Sequence, residues 1–157
     1  LKEIRKNISI PILRKDFTVD DYMIYEAKVI GADAVLLICT ITENDVLKHR
    51  IGLAKSLGLS SLVEAHSEEE IQAAIDAGAE IIGVNNRNLK DFSVDVSLSA
   101  KFRKEVPENI LFVAESGIKT VQQVRDLESD GVNAVLVGET LMRASDRVKA
   151  VRDFCGR

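Results

Sequence analysis

The residues best suited to do chemistry are charged and amide side chains that follow short apolar runs. The first lies in Pro11-Ile-Leu-Arg-Lys-Asp-Phe17, where such a run meets a lysine, an aspartate and a phenylalanine. A β-prone stretch before it and a helix starting around Thr18 to Ala27 put Lys15 at a strand's carboxyl end, where α/β folds keep their chemistry. In phase with Leu13 and Phe17, its ammonium would sit at the mouth of an apolar site, where desolvation lowers its pKa and makes it a usable acid. The alternative is a lysine that snorkels or pairs with a carboxylate. Ser61-Leu-Val-Glu-Ala-His66 brings Glu64 to the same height, two residues beyond Leu62 on one face. Ile81-Ile-Gly-Val-Asn-Asn-Arg87 ends in two amides and a guanidinium, and Ile110-Leu-Phe-Val-Ala-Glu-Ser-Gly117 ends in Glu115 and a small, flexible pair. A lysine, two glutamates and an asparagine on one rim would supply an acid, a base and orienting groups.

The last two runs suggest an anion. Ser116-Gly117 and Gly138-Glu139 each put a glycine where backbone must come close to a ligand, and free amides after adjacent strands can surround a phosphate. With Gly138 in the inward phase, Glu139 should point outward and contribute only its amide. The competing reading makes both glycines simple turn residues.

These positions must be held by a repeating framework. Apolar runs begin near Ile10, Ala34, Ser61, Ile81, Ile110 and Ala134, each followed by a helical pattern, which makes six strand-helix units and a parallel sheet with helices outside it. Helix starts and stops are marked by Thr42 with Gly58, Ser67 with Gly78 and Thr120 with Gly131, and Gly31 closes an earlier helix. Two architectures compete. A doubly wound sheet suits the length but lacks its Gly-x-Gly-x-x-Gly turn. An eight-stranded barrel needs about 250 residues, about two units more than this chain.

At 157 residues and 46% hydrophobic, the chain can form one domain with a real core. A net charge of -4 with scattered basic residues offers no footprint for nucleic acid or an acidic membrane. Cys39 and Cys155 are far apart and lack metal-ligand spacing, which reads as a reduced, cytoplasmic protein. Leu1 to Asn7 reads as the tail of a helix already under way, so sequence upstream is expected.

Five ordered segments, Leu13-Arg-Lys-Asp-Phe17, Leu62-Val-Glu-Ala-His66, Gly83-Val-Asn-Asn-Arg-Asn-Leu89, Val113-Ala-Glu-Ser-Gly-Ile118 and Val135-Leu-Val-Gly-Glu-Thr-Leu-Met-Arg143, resemble indole-3-glycerol phosphate synthases. The resemblance implies a TIM-type (β/α) barrel truncated to six strand-helix units, spanning residues 1–157 and lacking the first two units, with their phosphate-side lysine and catalytic glutamate. It implies the ring closure, decarboxylation and dehydration of 1-(2-carboxyphenylamino)-1-deoxyribulose 5-phosphate in tryptophan biosynthesis, with no metal or organic cofactor. On this resemblance Lys15 is the general acid and Glu64 the acid or base of the dehydration. Phe17, Asn85, Arg87 and Glu115 bind substrate, and Ser116, Gly117, Gly138 and Glu139 bind the phosphate.

A truncated barrel would expose two sheet edges, so a smaller closed barrel or a homodimer through those edges is expected. Two other readings stay open: a different phosphate-binding barrel isomerase or lyase, and a non-catalytic, self-associating fragment. His49 reads as solvated, His66 as a possible border of the site, Cys39 as core and Arg143 as a surface partner.

Overall fold

In the computed structural model, residues 1–87 and 93–156 are described. Asn88 and Leu89, the end of one family-like segment, lie outside the described residues. The chain divides into two compact units, Leu1–Ile82 and Gly83–Arg157.

The first unit contains α1 (Lys2–Asn7), β1 (Leu13–Arg14), α2 (Asp21–Val29), β2 (Ala34–Ile38), α3 (Asn44–Ser56), β3 (Ser60–Ala65) and α4 (Glu68–Asp76). β1 runs parallel to β2 with Leu13 opposite Ala34, and β2 runs parallel to β3 with Ile38 opposite Glu64. Val35 to Ile38 and Leu62 to Ala65 are buried without alternation, as expected of a parallel sheet covered on both faces. Ile24, Ala27, Leu47, Ala54, Ile71 and Ala74 supply the helical side of that core. β4 (Ile81–Asn85) begins in this unit and ends in the next.

The second unit continues with α5 (Ser97–Arg103), β5 (Leu111–Glu115), α6 (Val121–Ser129), β6 (Ala134–Leu136), α7 (Glu139–Arg143) and α8 (Arg147–Phe154). β5 runs parallel to β6 with Glu115 opposite Leu136, and the Asn86 amide donates to the Glu115 carbonyl just past β4. Phe112 is fully buried, and Phe102, Ile118 and Leu127 are buried in the same unit.

All six expected strand-helix units are present, and strand order follows chain order. The fold is α/β, a TIM-type barrel truncated to six units. No helix among the described residues is long and apolar enough to cross a membrane.

Two of the three paired helix signals hold at both ends. Ser67 accepts from the Glu70 amide, Thr120 forms a reciprocal capping box with Gln123, and Gly78 and Gly131 follow their helices with positive φ. Thr42 does not cap: α3 starts one residue later than expected, behind Glu43 without a side-chain cap, because Thr42 closes the 3-10 turn Cys39–Ile41. That turn also ends the second strand at Ile38 and leaves Cys39 half-buried rather than in the strand core. The helix expected from Thr18 starts instead at Asp21, since Asp20 accepts the Tyr22 amide as its cap and Thr18 is buried in the preceding loop.

Candidate functional site

In the first unit the polar groups are built around Glu64, the next-to-last residue of β3. It is 2% exposed, and a carboxylate so deep requires partners. Lys15, directly after β1, donates from Nζ to Glu64 Oε2 at 3.0 Å, with about a third of its own side chain reaching solvent. The other oxygen, Oε1, lies 3.4 Å from Nε2 of His66, an ion-pair separation at which Nε2 makes no hydrogen bond. His66 follows β3, and its Nδ1 stands 3.3 Å from Glu70 Oε2 and 3.2 Å from the Thr40 hydroxyl. Interaction with Glu64 and with Glu70 outweighs burial and raises the His66 pKa to about 9. Burial alone pushes Glu70 up, but hydrogen bonds from His66 and Thr40 prevail and hold its carboxyl below the usual range. Burial, with the nearby Glu70 and Glu64 charges, pushes the Cys39 thiol up to about 12, so it stays protonated and unreactive at neutral pH.

The loop that carries Lys15 is held from α3. Arg50, 9% exposed, donates to the carbonyls of Thr18 at 3.0 Å and Val19 at 2.7 Å and to Asp21 at 3.2 Å. Because β1 ends at Arg14, Phe17 owes its direction to this loop rather than to strand alternation, and it is 57% exposed.

The second unit uses backbone conformation instead. Ser116 (φ 65°) and Gly117 (φ 75°) form a consecutive left-handed pair after β5. A Cβ on Gly117 would collide with Val94 Cγ1 and lie 3.0 Å from Val96 Cγ1, so only glycine fits. Asn86, 1% exposed, fixes the pair: its side-chain amide donates to the Ser116 carbonyl at 3.1 Å, while its oxygen accepts from the Ser99 amide and hydroxyl. Thr140, in α7, donates to the Ile118 carbonyl at 2.7 Å and ties the Gly138 loop to the same turn.

These loops line an open cleft of about 900 Å³ that includes Ser116, Gly117, Gly138, Glu139, Arg87, Lys119 and Arg143. The Glu139 carboxylate, exposed as expected, accepts from Arg143 Nε at 2.9 Å and Arg87 at 3.2 Å, and this pairing with Arg143, then with Arg87, holds its pKa down. Arg143 therefore lines the cleft while pairing on the surface. Asn85 and Glu115 are buried at the ends of β4 and β5, and the Asn85 side-chain oxygen accepts from the Arg87 amide at 3.0 Å.

The structure thus joins Lys15 to Glu64, with His66 beside them, in one unit, and gathers Arg87, Ser116, Gly117, Gly138 and Glu139 in the other. Sequence reasoning missed Arg50 and Asn86, whose side-chain partners lie between 13 and 32 positions away along the chain. The available signals were a lone arginine on the apolar face of α3 and the doubling of the amide after β4.

A family model described as indole-3-glycerol phosphate synthase matches residues 1–154. An indole-3-glycerol phosphate synthase of Ruminiclostridium cellulolyticum is 58% identical over 93% of this chain and 56% of its own length. That of Endomicrobium trichonymphae is 55% identical over 98% of the chain and 60% of its own length. The chain thus spans under two thirds of these relatives. Among solved structures, 3-hexulose-6-phosphate synthase from Salmonella typhimurium superposes with a TM-score of 0.83 at 20% identity, covering 99% of this chain and 76% of that one. The tryptophan synthase complex of Pyrococcus furiosus gives 0.74 at 18% identity, covering 99% and 69%. At those identities the structural likeness shows the fold alone.

Proposed function

The chain belongs to the indole-3-glycerol phosphate synthase family, and from that premise we propose that it carries the ring-closing chemistry of 1-(2-carboxyphenylamino)-1-deoxyribulose 5-phosphate. The observation that carries the reading is the ammonium of Lys15 against the buried carboxylate of Glu64. As the aromatic ring attacks the sugar carbonyl, the carbonyl oxygen gains negative charge, and Lys15 delivers a proton to it. Loss of carbon dioxide restores the electron pair to the ring, and water leaves with Glu64 handling the departing proton. Because Lys15 and Glu64 are joined by a hydrogen bond, the proton that Lys15 gives up can return through Glu64.

The second unit serves the anionic end of the substrate. Amides of Ser116, Gly117, Gly138 and Glu139 cradle the phosphate, with Arg87 as a cation in the same cleft and Asn85 and Glu115 orienting the sugar. Phe17, with its ring largely exposed, offers an apolar face to the substrate's aromatic ring. A role in a step of amino-acid biosynthesis supports a cytoplasmic location. Exposed apolar side chains, Val29 and Tyr22 in the first unit and Met142 and Val148 in the second, support a homodimer, and solution mass measured over a range of concentrations reads it directly.

Indole fluorescence after mixing chain and substrate tests the activity. Lys15→Ala is expected to lower kcat by about a thousandfold with a smaller change in KM, since it removes a proton donor used in the transition state. A parent chain that makes no product sinks the reading.

A further inference from the structure

His66 is absorbed by none of the roles above, yet it stands between two carboxylates. Glu64 is held on β3, Glu70 on α4, and the imidazole bridges them from the loop between. Glu70 is itself fixed: it accepts the His66 backbone amide at 2.7 Å and the Thr40 hydroxyl at 2.8 Å, and Ser67 caps its own amide. Among the described residues of the first unit, the charged groups acting on the ring are Glu64 and Glu70; Lys15 pairs with the other oxygen of Glu64, and Cys39 lies near both carboxylates. Only 18% of the His66 side chain reaches solvent, so water cannot readily replace any of these partners.

A glutamate that handles a proton must keep one oxygen turned toward the reaction and must not rotate between turnovers. Glu64 has two oxygens with different neighbours: Oε2 takes Lys15, and Oε1 faces His66 Nε2. We propose that His66 is a positioning residue for Glu64, its ring braced by Glu70 and Thr40 so that one carboxylate oxygen is held and the other stays turned to Lys15. A neutral imidazole has a single N–H and can turn it to only one of two flanking carboxylates, whereas the doubly protonated ring presents an N–H and a positive charge to both. The cationic ring also favours the ionised form of Glu64, which keeps the carboxylate a base at neutral pH. The inference rests on the proton-handling role given to Glu64, and it adds the side chain that aims it.

The test is an NMR titration of the Glu64 carboxyl and the His66 ring in the full chain, beside His66→Gln and Glu70→Gln, with turnover followed on the same samples. His66→Gln is expected to raise the pH at which Glu64 takes up its proton by about one pH unit, because a neighbouring cation is gone. Where the parent turns over substrate, kcat in this variant falls about tenfold with KM within about twofold, and the acidic limb of its pH profile moves up with Glu64. Glu70→Gln, more remote from Lys15, brings the His66 titration down from about 9 toward its ordinary value near 6.5 and produces a weaker form of the same kinetic change. His66→Asn stands in if the glutamine variant does not fold. A Glu64 titration unmoved by these variants, or a kcat loss with no displacement of the pH profile, overturns the proposal. An inactive parent removes the lyase reading but not this one, since the two titrations still decide whether His66 governs Glu64.

Discussion

The two units hold their polar groups by opposite means. In the first, a buried carboxylate is kept in place by charge: Lys15 on one oxygen, His66 near the other, and Glu70 behind the ring. In the second, the loops are kept in place by main-chain shape: a left-handed Ser116-Gly117 pair, a carbonyl held by Asn86 and a tether from Thr140. Charge pairing answers to pH and tolerates small changes of volume. A left-handed backbone against a packed valine answers to volume and ignores pH.

The comparison breaks most sharply at Gly117. Gly117→Ala puts a methyl group against Val94 and keeps a positive φ, so the second unit should lose about 3 kcal/mol in urea unfolding. Adding Val94→Ala relieves the clash but not the backbone penalty, so about 1 kcal/mol of the loss should persist. If the double variant recovers in full, crowding alone dictates this turn.

A smaller effect separates the units by pH. The His66 pKa in the folded chain, about 9, stands above its ordinary 6.5, so its stabilising effect is complete below pH 6.5 and is lost as pH rises through 9. Unfolding followed from pH 6 to pH 9.5 should show the first unit losing about 2 kcal/mol, a loss absent in His66→Gln. A parallel loss of stability in the second unit would erase the contrast between the two.

The smallest effect concerns Glu139, whose exposed carboxylate pairs with Arg143 and Arg87. Glu139→Gln should free both cations and tighten inorganic phosphate binding by about two- to fivefold at low salt, with the gain fading as salt is raised. Isothermal titration at two ionic strengths measures it, and an unchanged affinity would mean that only main-chain amides face the anion.

How much of this could be read from the sequence follows the same division. Lys15 and Glu64 were legible because charge at the end of an apolar run is conspicuous and period-two spacing fixes relative height along a strand. The caps at Ser67 and Thr120 were legible because both bonds lie within one helical turn. Thr42 looked identical to them by type, but a 3-10 turn just upstream claimed it, and a short turn leaves little trace in periodicity. Asn86 was invisible for another reason. Adjacent amides differ only in which face they take, and its partners at Ser99 and Ser116 come from different elements. The left-handed Ser116 was equally hidden, since serine carries no glycine-like signal.

Arg50 has a bearing on engineering. The segment from Lys15 to Asp20 takes its shape from a guanidinium on another element, planted under the carbonyls of Thr18 and Val19. Grafting those six letters onto a foreign scaffold would transplant a lysine without its aim unless an arginine travelled with them. Conversely, a library that randomises this loop while sparing position 50 would keep a built-in jig for presenting new side chains.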